Sequence, residues 1–181
     1  MQIVRDVTTM VAPTATIVTL QQAKDYLRID YNEDDSLIQQ LIDASRIKLE
    51  QYASTAMTPR TLRVVAYVDE FIELPYAPIN TISKVEYWNG TDWTEILVGN
   101  YQVLGETYKK IYMTSPFMSE FRFTYTCGYT TTPESMKTAL LKILADLYDY
   151  RESSVEASKP SANVTTAYDL MKPYKRINYI L

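Results

Sequence analysis

Residues 34–68 read DDSLIQQLIDASRIKLEQYASTAMTPRTLRVVAYV, and within them the apolar spacing changes from near four to two. Leu37, Ile38, Leu41, Ile42, Ser45, Leu49 and Tyr52 recur along one helical face. Asp34 or Asp35 can cap that helix, and its acidic first turn suits the positive end of the helix dipole, so the pattern predicts a helix to about Ser54. After Pro59, Leu62, Val64, Ala66 and Val68 alternate with Thr61, Arg63, Val65 and Tyr67, as a half-buried strand does. A chain that switches period here carries a helical part and then a sheet.

Upstream, Thr19 followed by Gln22 is a capping box, and Leu20, Ala23, Lys24 and Leu27 predict a short helix to about Arg28, broken by IDYNEDD. Residues 1–18 mix Val, Thr, Ala and Pro13 without a helical period and read as an N-terminal arm. Downstream, short strands are predicted at 71–74, 82–88, 93–97, 101–104, 110–113 and 121–126, with Asn89-Gly90 as a turn signal, so residues 60–127 form an antiparallel insertion. Pro133 then opens a third helix, with Met136, Leu140, Ile143, Leu144, Leu147 and Tyr148 on its apolar face and an end near Arg151.

The expected fold is therefore α+β: a small helical bundle (19–59 and 128–152) with an antiparallel β insertion between its second and third main helices, and extended termini. Beyond it, SSVEASKPSAN reads as a polar linker, and residues 164–181 allow at most a helical turn or two before Pro173.

Composition removes several chemistries. The chain has no histidine and one cysteine, Cys127, which excludes serine-histidine and cysteine-histidine catalysis, an internal disulfide and a multi-cysteine metal site. Cys127 has no sequence neighbour to activate it and reads as a packed thiol. A net charge of -4 opposes a stable grip on nucleic acid, and no stretch approaches the apolar length of a membrane span. The N-terminus lacks the plan of a signal peptide, and a soluble cytoplasmic product is expected. Sixteen tyrosines exceed what one core of this size uses and point to contact surface, because a tyrosine ring is apolar while its hydroxyl can stay wet.

The order TLQQAKDYLRID, DDSLIQQLIDASRIKLEQY, LPYAPINTISKVEYWN, YTCGYTTTPESMKTALLKILADLYDYRE and DLMKPYKR resembles the head-tail connector (adaptor) family of tailed bacteriophages, of the gp6-like and gp8-like type. The likeness is carried by Leu20 to Arg28, the Leu74 to Pro78 turn, Gly128-Tyr129, Pro133 and Tyr148 to Glu152, over roughly residues 17–176. It implies a structural, non-enzymatic subunit of the virion, assembled in the host cytoplasm. Its partners would be further copies of itself in a ring, typically of twelve, with the portal protein on one side and a tail or stopper protein on the other. DNA would pass through without specific binding, and neither a cofactor, a metal nor a membrane is implied. Copies carrying -4 each would line a channel that does not hold a moving duplex, within the roughly 8 Å reach of salt screening.

Two groups of residues are candidate sites under this reading. The tail from 153 to 181 holds Tyr168, Leu170, Met171, Tyr174, Arg176, Tyr179 and Leu181 as partner-binding residues, because its own local contacts cannot offset about 1–2 kcal/mol of ordering entropy per residue. Asp146, Asp149 and Glu152, three apart on the third helix, are candidate channel-facing acids, with a solvated face as the favoured explanation of the row. The run Glu33, Asp34, Asp35 lacks the glycine of a calcium loop and reads as helix capping. Lys24 and Arg28 read as surface charges, and Arg46 with Glu50 as an exposed ion pair worth a few tenths of a kcal/mol. Two rival functions remain: a carboxylate-dependent enzyme, and a tail-completion or glycan-binding module using Trp88, Trp93 and nearby tyrosines.

Overall fold

A computed structural model describes residues 2–114, 119–150 and 161–175. It divides into two units, each made of two stretches of sequence: Thr16–Met57 with Thr131–Leu181, and Met1–Ala15 with Thr58–Thr130.

The first unit is helical. Helix α1 (Leu20–Leu27) starts on the expected capping box: Thr19 Oγ1 accepts from Gln22 N at 3.2 Å and Gln22 Oε1 accepts from Thr19 N at 2.9 Å. Helix α2 (Asp35–Ala53) buries Ile38, Ile42, Ser45, Leu49 and Ala53, the stripe that the spacing of three and four predicts. Helix α3 (Glu134–Asp149) begins after Pro133, whose missing N–H costs nothing there, and buries Met136, Ala139, Leu140, Ile143, Leu144 and Tyr148. It stops two residues short of the predicted end.

A fourth helix, α4 (Ala162–Met171), occupies part of the segment expected to be a free tail, and it is longer than the turn or two expected there. Ser161 caps it by accepting from Val164 N at 3.2 Å, and Val164, Ala167 and Met171, spaced three and four apart, are buried where α4 packs on α3. Burying Val164 and Met171 stabilises the docked helix by about 1.5–3 kcal/mol each, so this segment gains within its own chain the surface thought to require a partner. The stripe is inconspicuous in the sequence because Thr165 and Thr166, poor helix formers, lie between Val164 and Ala167.

The second unit is antiparallel β. Its five-stranded sheet has the order β1-β2-β8-β4-β5, from strands β1 (Gln2–Val11), β2 (Arg60–Val68), β4 (Ile79–Trp88), β5 (Trp93–Glu95) and β8 (Ser119–Cys127). A three-stranded sheet, β3-β7-β6, comes from β3 (Phe71–Glu73), β6 (Tyr101–Leu104) and β7 (Lys110–Met113). The buried face of β2 is Leu62, Val64, Ala66 and Val68, as alternation predicts, and β8 matches it with Phe121, Phe123, Tyr125 and Cys127.

The expected N-terminal arm is instead β1, paired with β2 from Gln2↔Val68 to Val11↔Thr61. Register shifts between Val4 and Asp6 and between Thr9 and Val11 interrupt its alternation, which is why a period of two was not visible.

Candidate functional site

The predicted tail residues are drawn largely into the helical unit. Met171 is fully buried, and Leu170 is half-buried. Tyr168 stacks on Tyr52 with ring centroids 4.1 Å apart, and burial first, then Tyr52 and Asp146, pushes its hydroxyl pKa up. Tyr174 accepts at its carbonyl from Thr55 Oγ1 (2.8 Å), and its hydroxyl shares a hydrogen bond with Ser135 (2.8 Å). Lys175 places its ammonium 4.5 Å from the Tyr52 ring centre. Arg176, Tyr179 and Leu181 lie outside the described residues.

Asp146 accepts a hydrogen bond from Ser161 at the start of α4, while Asp149 is exposed on the last turn of α3. Glu152 lies outside the described residues. Among those residues, no group of three His, Cys, Asp or Glu side chains is arranged to hold a metal ion.

Several charges read as surface charges are interior. Lys24 is 5% exposed, and its ammonium donates to Asp35 Oδ1 (2.7 Å) and Asn32 Oδ1 (2.6 Å). Glu50 is 3% exposed; it accepts from Met57 N (2.8 Å) and from Arg46 Nη1 (2.9 Å). Asp34 occupies the N-cap of α2 without a side-chain capping bond, because its carboxylate accepts from the hydroxyls of Tyr31 and Tyr148. Cys127 is buried at the end of β8, consistent with a packed thiol.

The strongest electrostatic cluster lies in the β unit, and sequence reading missed it. Cross-strand neighbours Glu86 and Arg122 form a two-bond pair, Arg122 Nε to Oε2 at 2.7 Å and Nη2 to Oε1 at 2.6 Å. Lys84 reaches the same carboxylate at 2.9 Å, and the guanidinium lies 4.5 Å from the Trp93 ring centre. Lys84 and Glu86 share a strand, but Arg122 joins them only through the β4–β8 register, which no spacing reveals.

The hydrogen bonds from Arg122 hold the Glu86 carboxyl down at about 2, against an ordinary 4.5; burial opposes them and Lys84 assists. The folded value lies below the unfolded one, so the stabilisation is present above pH 4.5 and is lost as pH falls from there towards 2. The shift corresponds to about 3 kcal/mol at neutral pH. Glu86→Gln is therefore expected to lower stability at pH 7 and to flatten its dependence between pH 5 and pH 2. Equal slopes for variant and parent in urea titrations across that range would contradict the assignment.

The apolar surface is the other feature. In the β unit, Ile3, Val4, Val7, Met10 and Val11 of β1 are exposed, as are Leu97 and Val98 just after β5. An open pocket of about 360 Å³ adjoins Leu97, lined by Tyr87, Ile96, Leu97, Met113 and Phe121 with Glu95 at its side. Trp88 and Trp93 meet edge to face with centroids 5.5 Å apart.

Among the carboxylates singled out from the sequence, Asp35 pairs with Lys24, Asp34 accepts from two tyrosine hydroxyls and Asp146 from Ser161, whereas the β unit exposes a set of apolar side chains. Fold and surface together define the class: an α+β chain whose helical and β parts interleave in sequence and whose β unit exposes apolar side chains. Residues 17–89 match the model of the phage gp6-like head-tail connector family, in agreement with the likeness read from the ordered motifs.

The fold is similar to that of chains in solved gene transfer agent (GTA) particles. One is from the neck of an empty particle computed with C6 symmetry, at 14% identity, covering 97% of this chain and 98% of that one with a TM-score of 0.77. Another is from the virion of the native particle, at 14% identity, 96% and 97% coverage and a TM-score of 0.76. A third is from the native neck computed with C12 symmetry, at 14% identity, 97% and 98% coverage and a TM-score of 0.73. No curated protein matches the chain.

Proposed function

We propose that the chain is a structural head-tail connector, or adaptor, subunit of a tailed phage. Copies of it form a ring, of twelve in this reading, that joins the portal to the tail and leaves a channel for DNA. The observation that carries the proposal is the connector-family match over residues 17–89, set within a fold that resembles neck chains along nearly its whole length. The work of such a subunit is interfacial: it binds copies of itself and the adjoining virion parts and needs no reaction centre. A net charge of -4 per copy favours passage of DNA over retention.

The portal-facing contact is assigned to the chain end beyond Lys175, with Arg176, Tyr179 and Leu181, since Tyr168 and Met171 are engaged within the helical unit. Measuring the mass of the full chain alone and with portal tests the function; a monomer in both samples, with no portal complex, overturns it. A chain ending at Lys175 is expected to keep its stability and to lose about ten-fold or more in portal affinity. Unchanged affinity removes the tail assignment. A cut after Ser153 would discard α4 and its buried Val164, Ala167 and Met171, and would test folding instead.

A further inference from the structure

We infer that Arg63, whose guanidinium is left unpaired on the outer face of the five-stranded sheet, receives the acidic turn between α1 and α2 of a second copy of this chain. The inference rests on the ring reading above and names one contact through which copies meet.

Leu62, Val64, Ala66 and Val68 face the core, so Thr61, Arg63, Val65 and Tyr67 form the β2 part of the opposite face. Other basic side chains on this face are already matched within the chain: Arg5 pairs with Glu120, and Lys84 and Arg122 share Glu86. Arg63 is not matched. The register sets Thr8 of β1 on one side of it and Thr124 of β8 on the other, both neutral. Asp6, one pair further along β1, accepts from Thr8 Oγ1 at 2.9 Å and makes no ion pair with Arg63. Arg63 Nε is buried without a hydrogen-bond partner among the described residues, while the side chain as a whole is half-buried. A donor shut away from water with no acceptor destabilises the single subunit, and an incoming carboxylate removes that penalty.

In the helical unit, acids without a cation gather in one place. Asp25, Asp30 and Glu33 are exposed in the last turn of α1 and the turn that follows it. Asp25 meets the Gln21 side-chain amide at 2.7 Å and Glu33 the backbone N–H of Asn32 at 3.0 Å, and no basic group pairs with any of the three among the described residues. Lys24 is committed to Asp35 and Asn32, and Asp34 to the hydroxyls of Tyr31 and Tyr148. Arg28 is the one exposed cation of the segment, so three carboxylates outweigh it. Tyr26 and Tyr31, 43% and 44% exposed, flank these acids, and their rings suit the half-buried Val65 and Tyr67 beside Arg63.

The complementarity therefore lies in charges that neither surface satisfies by itself: a base without an acid on the sheet, and acids without a base on the turn. Turn and sheet face are different surfaces, so the contact is head-to-tail, the kind that closes into a ring.

The test joins the two positions chemically. Full-length Arg63→Lys chains, isotope-labelled and unlabelled copies mixed, are assembled alone or with portal and treated with a water-soluble carbodiimide, which condenses an amine with a carboxylate it touches. Peptide mass spectrometry is expected to find position 63 of one copy joined to Asp30 or Glu33 of another. Coupling of position 63 to other acids only, or within one copy only, overturns the inference. Independently, Arg63→Glu and the paired change Asp30→Lys with Glu33→Lys should each weaken self-association about ten-fold, and a chain carrying all three should recover it. If Arg63→Glu lowers the urea midpoint, Arg63→Gln carries the comparison, with a loss of about five-fold expected at an unchanged midpoint. Rings seen by electron microscopy that form equally well with Arg63→Gln and with Asp30→Asn plus Glu33→Gln overturn the docking while leaving the connector reading intact. A chain that never self-associates, with or without portal, removes both.

Discussion

Gly128→Ala is expected to unfold the β unit or to cost it about 3–5 kcal/mol. Gly128 has φ +108°, a conformation that residues with a β-carbon rarely adopt, and an added Cβ would overlap the Thr58 carbonyl and lie 2.9 Å from Pro59 N. The backbone cannot withdraw, because Gly128 N–H donates to the Pro78 carbonyl at 2.9 Å and its own carbonyl accepts from Asn80 Nδ2 at 2.9 Å. Strain and overpacking therefore add at a position tied down on both sides. Urea denaturation of the purified variant measures the cost, and a loss under about 1 kcal/mol would show that the Thr58–Pro59 segment yields to the methyl group.

Glu50→Ala should be the next most damaging change, at about 3 kcal/mol or more. The carboxylate bonds Met57 N–H just beyond the end of α2 and pairs with Arg46, whose side chain is only 18% exposed. Removing it leaves a buried backbone donor without this acceptor and a largely buried guanidinium with Asp43 at 3.6 Å as its remaining recorded ion-pair partner. Glu50→Gln keeps the shape and an acceptor for Met57 N and should cost about half as much. If Ala and Gln prove equally mild in thermal and urea unfolding, the carboxylate is better hydrated than its burial implies.

Glu50 also shows where sequence reading stops. Its spacing to Arg46 identified the partner correctly, but an i,i+4 pair looks the same whether it faces solvent or core. Lys24 misled in the same way, since its ammonium finds Asp35 and Asn32 only after the turn between α1 and α2 has folded back. Strands β2 and β8 were legible, because Leu62 to Val68 and Phe121 to Cys127 alternate without interruption, whereas β1 was not. Among the candidate site residues, Tyr168 and Met171 pack within their own bundle, a placement that their spacing to Tyr52 in the sequence does not reveal.

From the order of residues alone came the two periodicities, the capped helix starts, the strand-rich insertion and the family likeness, all of which depend on neighbours within a few positions. Only the tertiary structure decided that the N-terminal segment is a sheet edge, that α4 docks on α3, and that Glu86 meets Arg122 across 36 residues of chain. A repeating pattern records which face of a segment prefers to be dry. It carries no record of which distant segment covers that face, and that choice is made by register, loop closure and packing together.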